Sequence, residues 1–202
     1  MNKQIERIYQ FWFGEISDEL APKEKQQLWY ASTKRLDKQI EAEFSELLTE
    51  AAEGKHDDWK DSAKGRLALI LLFDQFSRNI YRGKPQAFAF DSLALALCNE
   101  GREKQQDKQL SLVERLFFYH PLEHAEDLPS QECCVELFQM LAEQYPDGAQ
   151  HQAAANALKY AIEHRDIIAR FGRFPHRNEV LVRPSTKEEL DYLDKGGKRF
   201  GQ

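Results

Sequence analysis

A segment from Arg66 to Phe76 is apolar on nearly all of its sides, and it constrains the fold more than any other part of the chain. A helix with a polar outer face lies on the surface, whereas a helix that is apolar all round must be covered by other elements. The apolar run inside this segment, from Leu67 to Phe73, is far shorter than the roughly 20 residues that a membrane helix needs. We therefore expect a central helix of a water-soluble fold, without a membrane span.

Amphipathic periodicity predicts further helices on both sides of this segment, because apolar residues recur at spacings of three and four. Residues 111–114, Ser-Leu-Val-Glu, have the pattern of a capping box, which starts a helix. Pro121 predicts that this helix ends near His120, since the residue before a proline disfavours helical geometry. Residues 185–188, Ser-Thr-Lys-Glu, have the same capping pattern and start a short helix. The remaining predictions are an N-terminal helix that ends at Gly14 and helices over 33–52, 87–100, 131–145 and 149–171.

No strand pattern and no linker of low complexity divides the chain. Its 202 residues fit one domain, and its 10 glycines and 7 prolines are few for an all-β fold with many turns. We predict an all-α protein with a single domain over residues 1–195 and a frayed tail at 196–202. The short connections favour an array of antiparallel helical hairpins, in the manner of helical-repeat folds.

Charge and cysteine content narrow the classes of partner and compartment. Lys and Arg number 28 against 34 Asp and Glu, a net charge of −6, whereas nucleic-acid binding needs a basic face. The 3 cysteines form no CxxC pair, which favours a reducing cytoplasm over a disulfide-bonded secreted fold. Motifs typical of nucleotide binding, zinc proteases and serine hydrolases are missing, so we expect no cofactor.

Asp74 is an ionisable residue among apolar ones, because it shares a predicted helix face with Leu67 and Ile70. A buried carboxylate is costly unless a partner or hydrogen bonds compensate it. In a structural interpretation, Asp74 pairs with Arg78 one turn later or caps a neighbouring helix. In a functional interpretation, Asp74 is the base or ligand anchor of a pocket.

Histidines provide the next candidates. His164 recurs with Ala157 and Tyr160 on the apolar face of its helix, where a histidine is either a hydrogen-bonded core residue or a catalyst. Glu123 and His124 lie in a dense acidic run, either as an acid–base pair or as capping and surface residues. We expect no metal here, since adjacent residues on a helix face different ways.

His176 and Arg177 belong to a basic loop over residues 171–178 of an acidic protein. Arginine forks and a histidine in such a loop suit the binding of a carboxylate or a phosphate. Alternatively, the arginines neutralise the acidic run near His124 and hold the C-terminal helix in place. The spacing of His120 and His124 matches that of metal ligands, but Pro121 is expected to break the helix that would align them.

Several stretches, in order along nearly the whole chain, resemble the uncharacterised bacterial domain-of-unknown-function family 924. They are FWFG at 11–14, GRLALILL at 65–72, DQF at 74–76, RNIYRG at 78–83, PLEH at 121–124 with ED at 126–127, HRDII at 164–168 and FGRFPHRN at 171–178. Two positions depart from the pattern of the family: Ser77 stands where proline is expected, and Val182 where glycine is expected. The resemblance implies a tetratricopeptide-like array of helices, and it carries over no catalytic residues because the family has no established activity.

Two functions follow as hypotheses. In the first, a cytoplasmic helical array holds a peptide or a partner protein on its concave face. In the second, side chains distant in sequence converge in one cleft, where arginines hold an anionic small molecule and histidines or carboxylates move protons. Whether a reaction is catalysed stays open. The residues of this candidate site are Asp74, Arg78, Glu123, His124, His164, His176 and Arg177.

Overall fold

The computed structural model describes residues 2–29 and 33–200. Within these ranges the chain forms helices, turns and one isolated bridge, without a β-strand, so the all-α prediction is confirmed. The α-helices are α1 (Lys3–Trp12), α2 (Lys23–Trp29), α3 (Lys34–Ala52), α4 (Ala63–Ile70), α5 (Ser77–Ile80), α6 (Asp91–Glu103), α7 (Leu112–His124), α8 (Leu128–Gln144), α9 (Gly148–Phe171) and α10 (Lys187–Asp194).

Helices α4 and α5 are two parts of one continuous helix, joined by a π-helical stretch at Leu71–Phe76. This helix packs against α1, α3, α6 and α7, and its residues Leu67, Leu71 and Phe76 are fully covered. A covered central helix is what the apolar pattern predicts. The wider π-helical winding is common at functional sites, and Asp74 lies within it.

Helices α7, α8 and α9 form the other large packing unit. Residues 125–127 join α7 to α8 and residues 145–147 join α8 to α9, and connections this short make successive helices antiparallel. Helices α7 and α9 therefore run in the same direction, and they also contact each other. These hairpins agree with the predicted array, while its tetratricopeptide-like classification stays a prediction.

The predicted end of α7 at His120 is wrong, because the helix continues through Pro121 to His124. A proline inside a helix removes one hydrogen bond and costs about 3 kcal/mol. The final turn offsets this cost through its contacts: Leu122 is buried, and Glu123 and His124 each bond to a neighbouring element. As a result, α7 carries two more polar side chains into the interior than the sequence predicts.

Three helix starts also differ from the prediction. Helix α6 spans Asp91–Glu103 rather than residues 87–100, because Pro85–Phe88 form a separate 3₁₀ helix. Helix α8 begins at Leu128 rather than at residue 131, because the Asp127 side chain accepts a hydrogen bond of 3.0 Å from the Ser130 amide. The C-terminal capping box uses Thr186 and Glu189, one residue later than predicted. The capping box at 111–114 is present as predicted.

Helix α9 ends at Gly172, whose φ of +69° supplies the left-handed conformation that closes the helix. Val182, in the loop that follows, also has a positive φ, +53°, at the position where the family pattern has glycine. A β-branched residue in this conformation is strained. The loop departs from the family pattern at a position that favours glycine.

Helix α2 and the cysteines complete the fold. Helix α2 has no apolar pattern that predicts it from the sequence, since none of its residues is fully buried. All three cysteines are free thiols. Among the described helices, none is long and apolar enough to cross a membrane.

Candidate functional site

A cavity of about 560 Å³ lies between α7 and α9, bounded also by the central helix and by residues near the C-terminus. A second cavity, of about 150 Å³, shares Trp29, Gln75, Arg78, His176 and Phe200 with it. Every candidate residue from the sequence except Asp74 lines the larger cavity. These lining residues are Arg78, Glu123, His124, His164, His176 and Arg177.

Asp74 lies directly behind this lining, and its side chain is fully buried. Its Oδ1 is 2.7 Å from Nδ1 of His124 and 3.5 Å from Nη2 of Arg78. Its Oδ2 accepts a hydrogen bond of 2.6 Å from Nε2 of Gln75. Both carboxylate oxygens therefore have partners, which offsets the cost of burying the charge.

Asp74 and His124 differ in protonation at neutral pH. Burial alone raises the pKa of Asp74, but the charge and hydrogen bond of His124 and the charge of Arg78 outweigh it and hold the pKa well below its usual range. Burial lowers the pKa of His124 to about 4, against the opposing charge of Asp74. The pair is thus an ionised carboxylate and a neutral imidazole. Because the carboxylate only accepts, the imidazole proton lies on Nδ1 and Nε2 is left as a proton acceptor.

Glu123 and His164 form a second carboxylate–imidazole pair beside the first. Nδ1 of His164 is 3.0 Å from Oε1 of Glu123 and 2.8 Å from the backbone oxygen of Tyr160. Both neighbours are acceptors, so Nδ1 carries a proton. Burial alone raises the pKa of Glu123, but the charge and hydrogen bond of His164 and the charge of His120 lower it to about 2. Glu123 is therefore ionised at neutral pH.

Phe200 covers the His164 end of the cavity. Its ring stacks on the imidazole, with 3.6 Å between the ring centroids and 19° between the planes. It also lies 5.8 Å from the ring of His176, centroid to centroid. Phe200 belongs to the predicted frayed tail, of which residues 201 and 202 lie outside the described residues.

Arg78 and Arg177 bring two guanidinium groups to the cavity, and Asp91 bridges them. Nη2 of Arg78 donates a hydrogen bond of 3.0 Å to Oδ1 of Asp91, and Nη1 of Arg177 lies 3.5 Å from Oδ2. Nη1 of Arg177 also donates to the backbone oxygen of His124, at 3.1 Å. Among the described atoms, Nε and Nη1 of Arg78 and Nε of Arg177 are covered and have no acceptor. The two arginines keep donor groups that the described part of the protein does not use.

Arg177 remains charged while the neighbouring imidazole of His176 is neutral. Burial, followed by repulsion from Arg78, lowers the pKa of Arg177 to about 9, which is still above neutrality. Burial, followed by the charge of Arg177, lowers the pKa of His176 to about 3. Nδ1 of His176 is another covered atom without a partner among the described residues. Burial raises the pKa of Asp91. This end of the cavity therefore combines the positive charge of Arg177 with a neutral imidazole.

His120 adjoins these groups, although it is not among the predicted site residues. Its ring centroid is 5.6 Å from that of His124, and its Nδ1 is 3.2 Å from Nε2 of Gln75. The expectation that Pro121 separates the two histidines is wrong, because α7 stays helical through the proline. Over residues 2–29 and 33–200, no group of three or more His, Cys, Asp or Glu side chains is arranged to hold a metal ion.

Other arginines of the basic loop region hold the C-terminal part of the chain. Nη2 of Arg183 donates a hydrogen bond of 2.9 Å to Glu126, and Nε of Arg173 lies 2.6 Å from Glu189. Neutralisation of acidic residues, one of the two interpretations of this region, therefore applies to Arg173 and Arg183. Arg177 instead lines the cavity.

The match to a family model covers most of the chain that carries this site. Residues 8–197 match the family described as "Bacterial protein of unknown function (DUF924)". The chain belongs to this family. Apart from Phe200, every residue that lines the cavity of this DUF924 chain lies within the matched range.

A solved structure supports the same assignment. The protein of unknown function from Agrobacterium tumefaciens is 36% identical to this DUF924 chain, with a TM-score of 0.82. The alignment covers 96% of this chain and 98% of that one. A search of curated proteins gives no match.

Four residues of this DUF924 site are missing from the sequence prediction: Gln75, Asp91, His120 and Phe200. Gln75 adjoins Asp74 in the family stretch at 74–76, and this adjacency is the signal that would have found it. Asp91 is an acidic residue in the first turn of a helix, a common position for acidic residues, and so its sequence does not mark it as part of a site. Phe200 follows two glycines and two basic residues and shows no periodicity. Its position depends on the surface that it packs against.

Proposed function

We propose that this protein binds a small anionic molecule in the cavity between α7 and α9, with Arg78 and Arg177 as the anion-binding residues. One observation carries the proposal. Both arginines line the cavity, both are largely buried, and both keep N–H groups without an acceptor among the described atoms. A buried donor without a partner costs about 1–3 kcal/mol, so an anion that accepts from these groups recovers that free energy.

The chemistry of the two side chains supports an oxyanion as the ligand. A guanidinium presents several donors in a planar fork that matches the geometry of a carboxylate or a phosphate. The unpaired nitrogens are covered, so binding involves a small rotation of the guanidinium groups or of a side chain that covers them. The neutral imidazole of His176 supplies a third group at the same end of the cavity.

The size of the cavity favours a small molecule over a protein. A volume of about 560 Å³ falls in the range of about 300–1,000 Å³ that is typical of small-molecule sites. Binding of a peptide or a partner protein, the first hypothesis from the sequence, stays a prediction. A cytoplasmic location also remains a prediction, with the free thiols as its support.

Thermal unfolding in the presence of acetate, sulfate or inorganic phosphate tests the proposal. An anion at 100 times its Kd adds about 2.7 kcal/mol to the free energy of unfolding. For a chain of this size, that gain raises the Tm by roughly 5–10 °C.

Arg177→Met provides the decisive comparison, and Arg165→Met is its control. Arg165 lies on α9 and pairs with Asp166, away from the cavity lining. We expect the shift in Tm to disappear in Arg177→Met and to persist in Arg165→Met. Equal shifts in both variants would place the anion elsewhere on the surface, and no shift in the wild type would overturn the proposal.

A second candidate function is acid–base catalysis by His124, and the geometry of its pair with Asp74 favours it. The contact of 2.7 Å orients the imidazole and leaves Nε2 as the basic nitrogen beside the anion-binding residues. Nitrogen-15 NMR tests this arrangement directly. We expect a neutral His124 with its proton on Nδ1 at pH 6. A doubly protonated ring at this pH would remove the base that the function needs.

A further inference from the structure

The two helical walls of the larger cavity change character along their length. Spacings of three and four residues place one stripe of each helix against the cavity. On α7 the stripe comprises Val113, Leu116, Phe117, His120 and His124. On α9 it comprises Ala153, Asn156, Ala157, Tyr160 and His164. Each stripe ends with histidine, and its first residues are apolar or small apart from Asn156.

The two stripes are aligned, so the cavity itself has a polar end and an apolar end. Each stripe spans eleven residue steps, which is about 16 Å along a helix axis. The C-terminal ends meet where the rings of His124 and His164 are 6.2 Å apart, centroid to centroid. Because α7 and α9 run in the same direction, Val113 and Ala153 lie together at the opposite end.

The apolar end is built from small side chains facing larger ones. Ala153 and Ala157 leave space on α9, while Val113 and Leu116 supply apolar surface on α7. Trp29 contributes an aromatic side chain to the same cavity. Apolar walls around a space gain dispersion contacts from an apolar occupant. Asn156 is the polar residue of the α9 stripe at this end.

We infer that the ligand is an amphipathic acid, with a carboxylate or phosphate head at Arg78 and Arg177 and a hydrocarbon or aryl body between α7 and α9. This inference rests on the proposed anion site and adds the chemical class of the ligand and its orientation. The head replaces the missing acceptors of the arginines. The body lies along the stripes, with its end towards Val113 and Ala153.

Isothermal titration calorimetry with acetate, butanoate, hexanoate and octanoate tests the inference. We expect Kd to fall roughly two- to four-fold for each added methylene, the gain that burial of a methylene group supplies. The gain ends when the chain fills the cavity. Butyl and hexyl phosphate form a parallel series, and the tighter series identifies the head group. Hexanol is the neutral control.

Ala157→Leu fills the apolar end and leaves the arginines untouched. We expect this variant to bind acetate like the wild type but to lose the gain from hexanoate and octanoate. Ala169→Leu is the matched control, because Ala169 is an exposed alanine of the same helix outside the cavity. Ala153→Leu makes the same test if Ala157→Leu does not fold.

The possible results separate this inference from the proposed function. Rising affinity with chain length, abolished by Ala157→Leu but not by Ala169→Leu, supports both. Equal affinity for acetate and octanoate overturns the amphipathic ligand and leaves the anion site intact. Hexanol that binds as tightly as hexanoate overturns the anion site itself, and with it the inference.

Discussion

Arg66 and Arg177 are both buried arginines, but they differ in how their donors are used. Arg66 is fully covered, and each of its nitrogens donates to the protein. Its Nε donates to Oε1 of Gln106, at 2.5 Å, and its Nη2 donates to the backbone oxygen of Lys60, at 2.9 Å. Arg177 has one hydrogen bond, to the backbone oxygen of His124, while its Nε has no acceptor among the described atoms.

This difference separates a structural arginine from one that is ready for a ligand. Arg66 lies in the central helix and connects it to α6, so its charge and donors stabilise the packing of two helices. Arg177 lies in a loop at a cavity, between the rings of Phe88 and Phe174. Both side chains are buried, but the donors of Arg66 are satisfied and those of Arg177 are not all satisfied.

Substitution of Arg66 has the largest expected effect. Arg66→Met removes the donor to Oε1 of Gln106 and one donor each to the backbone oxygens of Leu97 and Lys60, in the interior. We expect the free energy of unfolding to fall by about 3–5 kcal/mol, as for other broken buried charge networks. Urea unfolding measures it. A loss below about 1 kcal/mol would mean that satisfied donors do not stabilise this site, and the comparison would fail.

The pH dependence of anion binding is the next largest effect. Burial holds the pKa of His124 at about 4 and that of His176 at about 3 in the empty cavity. A bound anion raises both, so the complex holds more protons than the free protein and affinity rises as pH falls, up to about tenfold per pH unit for each proton taken up. The other charged and titratable groups that act on these rings are Asp74, Arg78, His120, Glu126, His164, Arg177 and Arg199.

Calorimetry with sulfate between pH 8 and pH 5 measures this dependence, because sulfate keeps its charge over the range. The rise in affinity begins as the pH falls below the pKa that His124 has in the complex. It levels off near pH 4, the pKa of His124 in the protein without sulfate. Sulfate affinity that stays flat or rises with pH would show that binding takes up no proton at His124 or His176, and this prediction would fail.

Phe200→Ala tests a second difference between the two arginines, namely what covers them. Helices surround Arg66, whereas Phe200, outside any helix, lies over the His164 end of the cavity that Arg177 also lines. We expect diethyl pyrocarbonate to modify His164 several-fold faster in this variant, measured by peptide mass spectrometry. His56, which pairs with Glu50, is the internal reference. An unchanged ratio of the two rates would show that the tail leaves His164 accessible.

Helical periodicity predicts which site residues are buried better than it predicts which of them contact each other. It places Asp74 and His164 on apolar faces, and both are buried. It does not predict that Asp74 meets His124, because that contact depends on α7 continuing through Pro121. The rule for residues before proline is local, while the contacts that hold the last turn of α7 come from other elements.

A local sequence pattern also does not predict that Arg78 and Arg177 converge. Arg78 and Arg177 are far apart in sequence, and Asp91 bridges them only after α6 and the loop 175–177 have packed together. A basic loop in the sequence leaves open which arginine pairs with an acid and which lines a cavity. The structure distinguishes them by the partner of each guanidinium.

Arg177→Met has the smallest expected effect on stability, and it tests the comparison most sharply. The substitution removes one hydrogen bond and the contact with Asp91, but it also removes a buried donor without an acceptor. The flexible methionine side chain fits between the rings of Phe88 and Phe174. We expect the free energy of unfolding to change by no more than about 1 kcal/mol, against about 3–5 kcal/mol for the same substitution at Arg66. A loss of similar size at both positions, measured in urea without added anions, would make Arg177 a structural residue like Arg66, and unsatisfied donors would then no longer mark the ligand site.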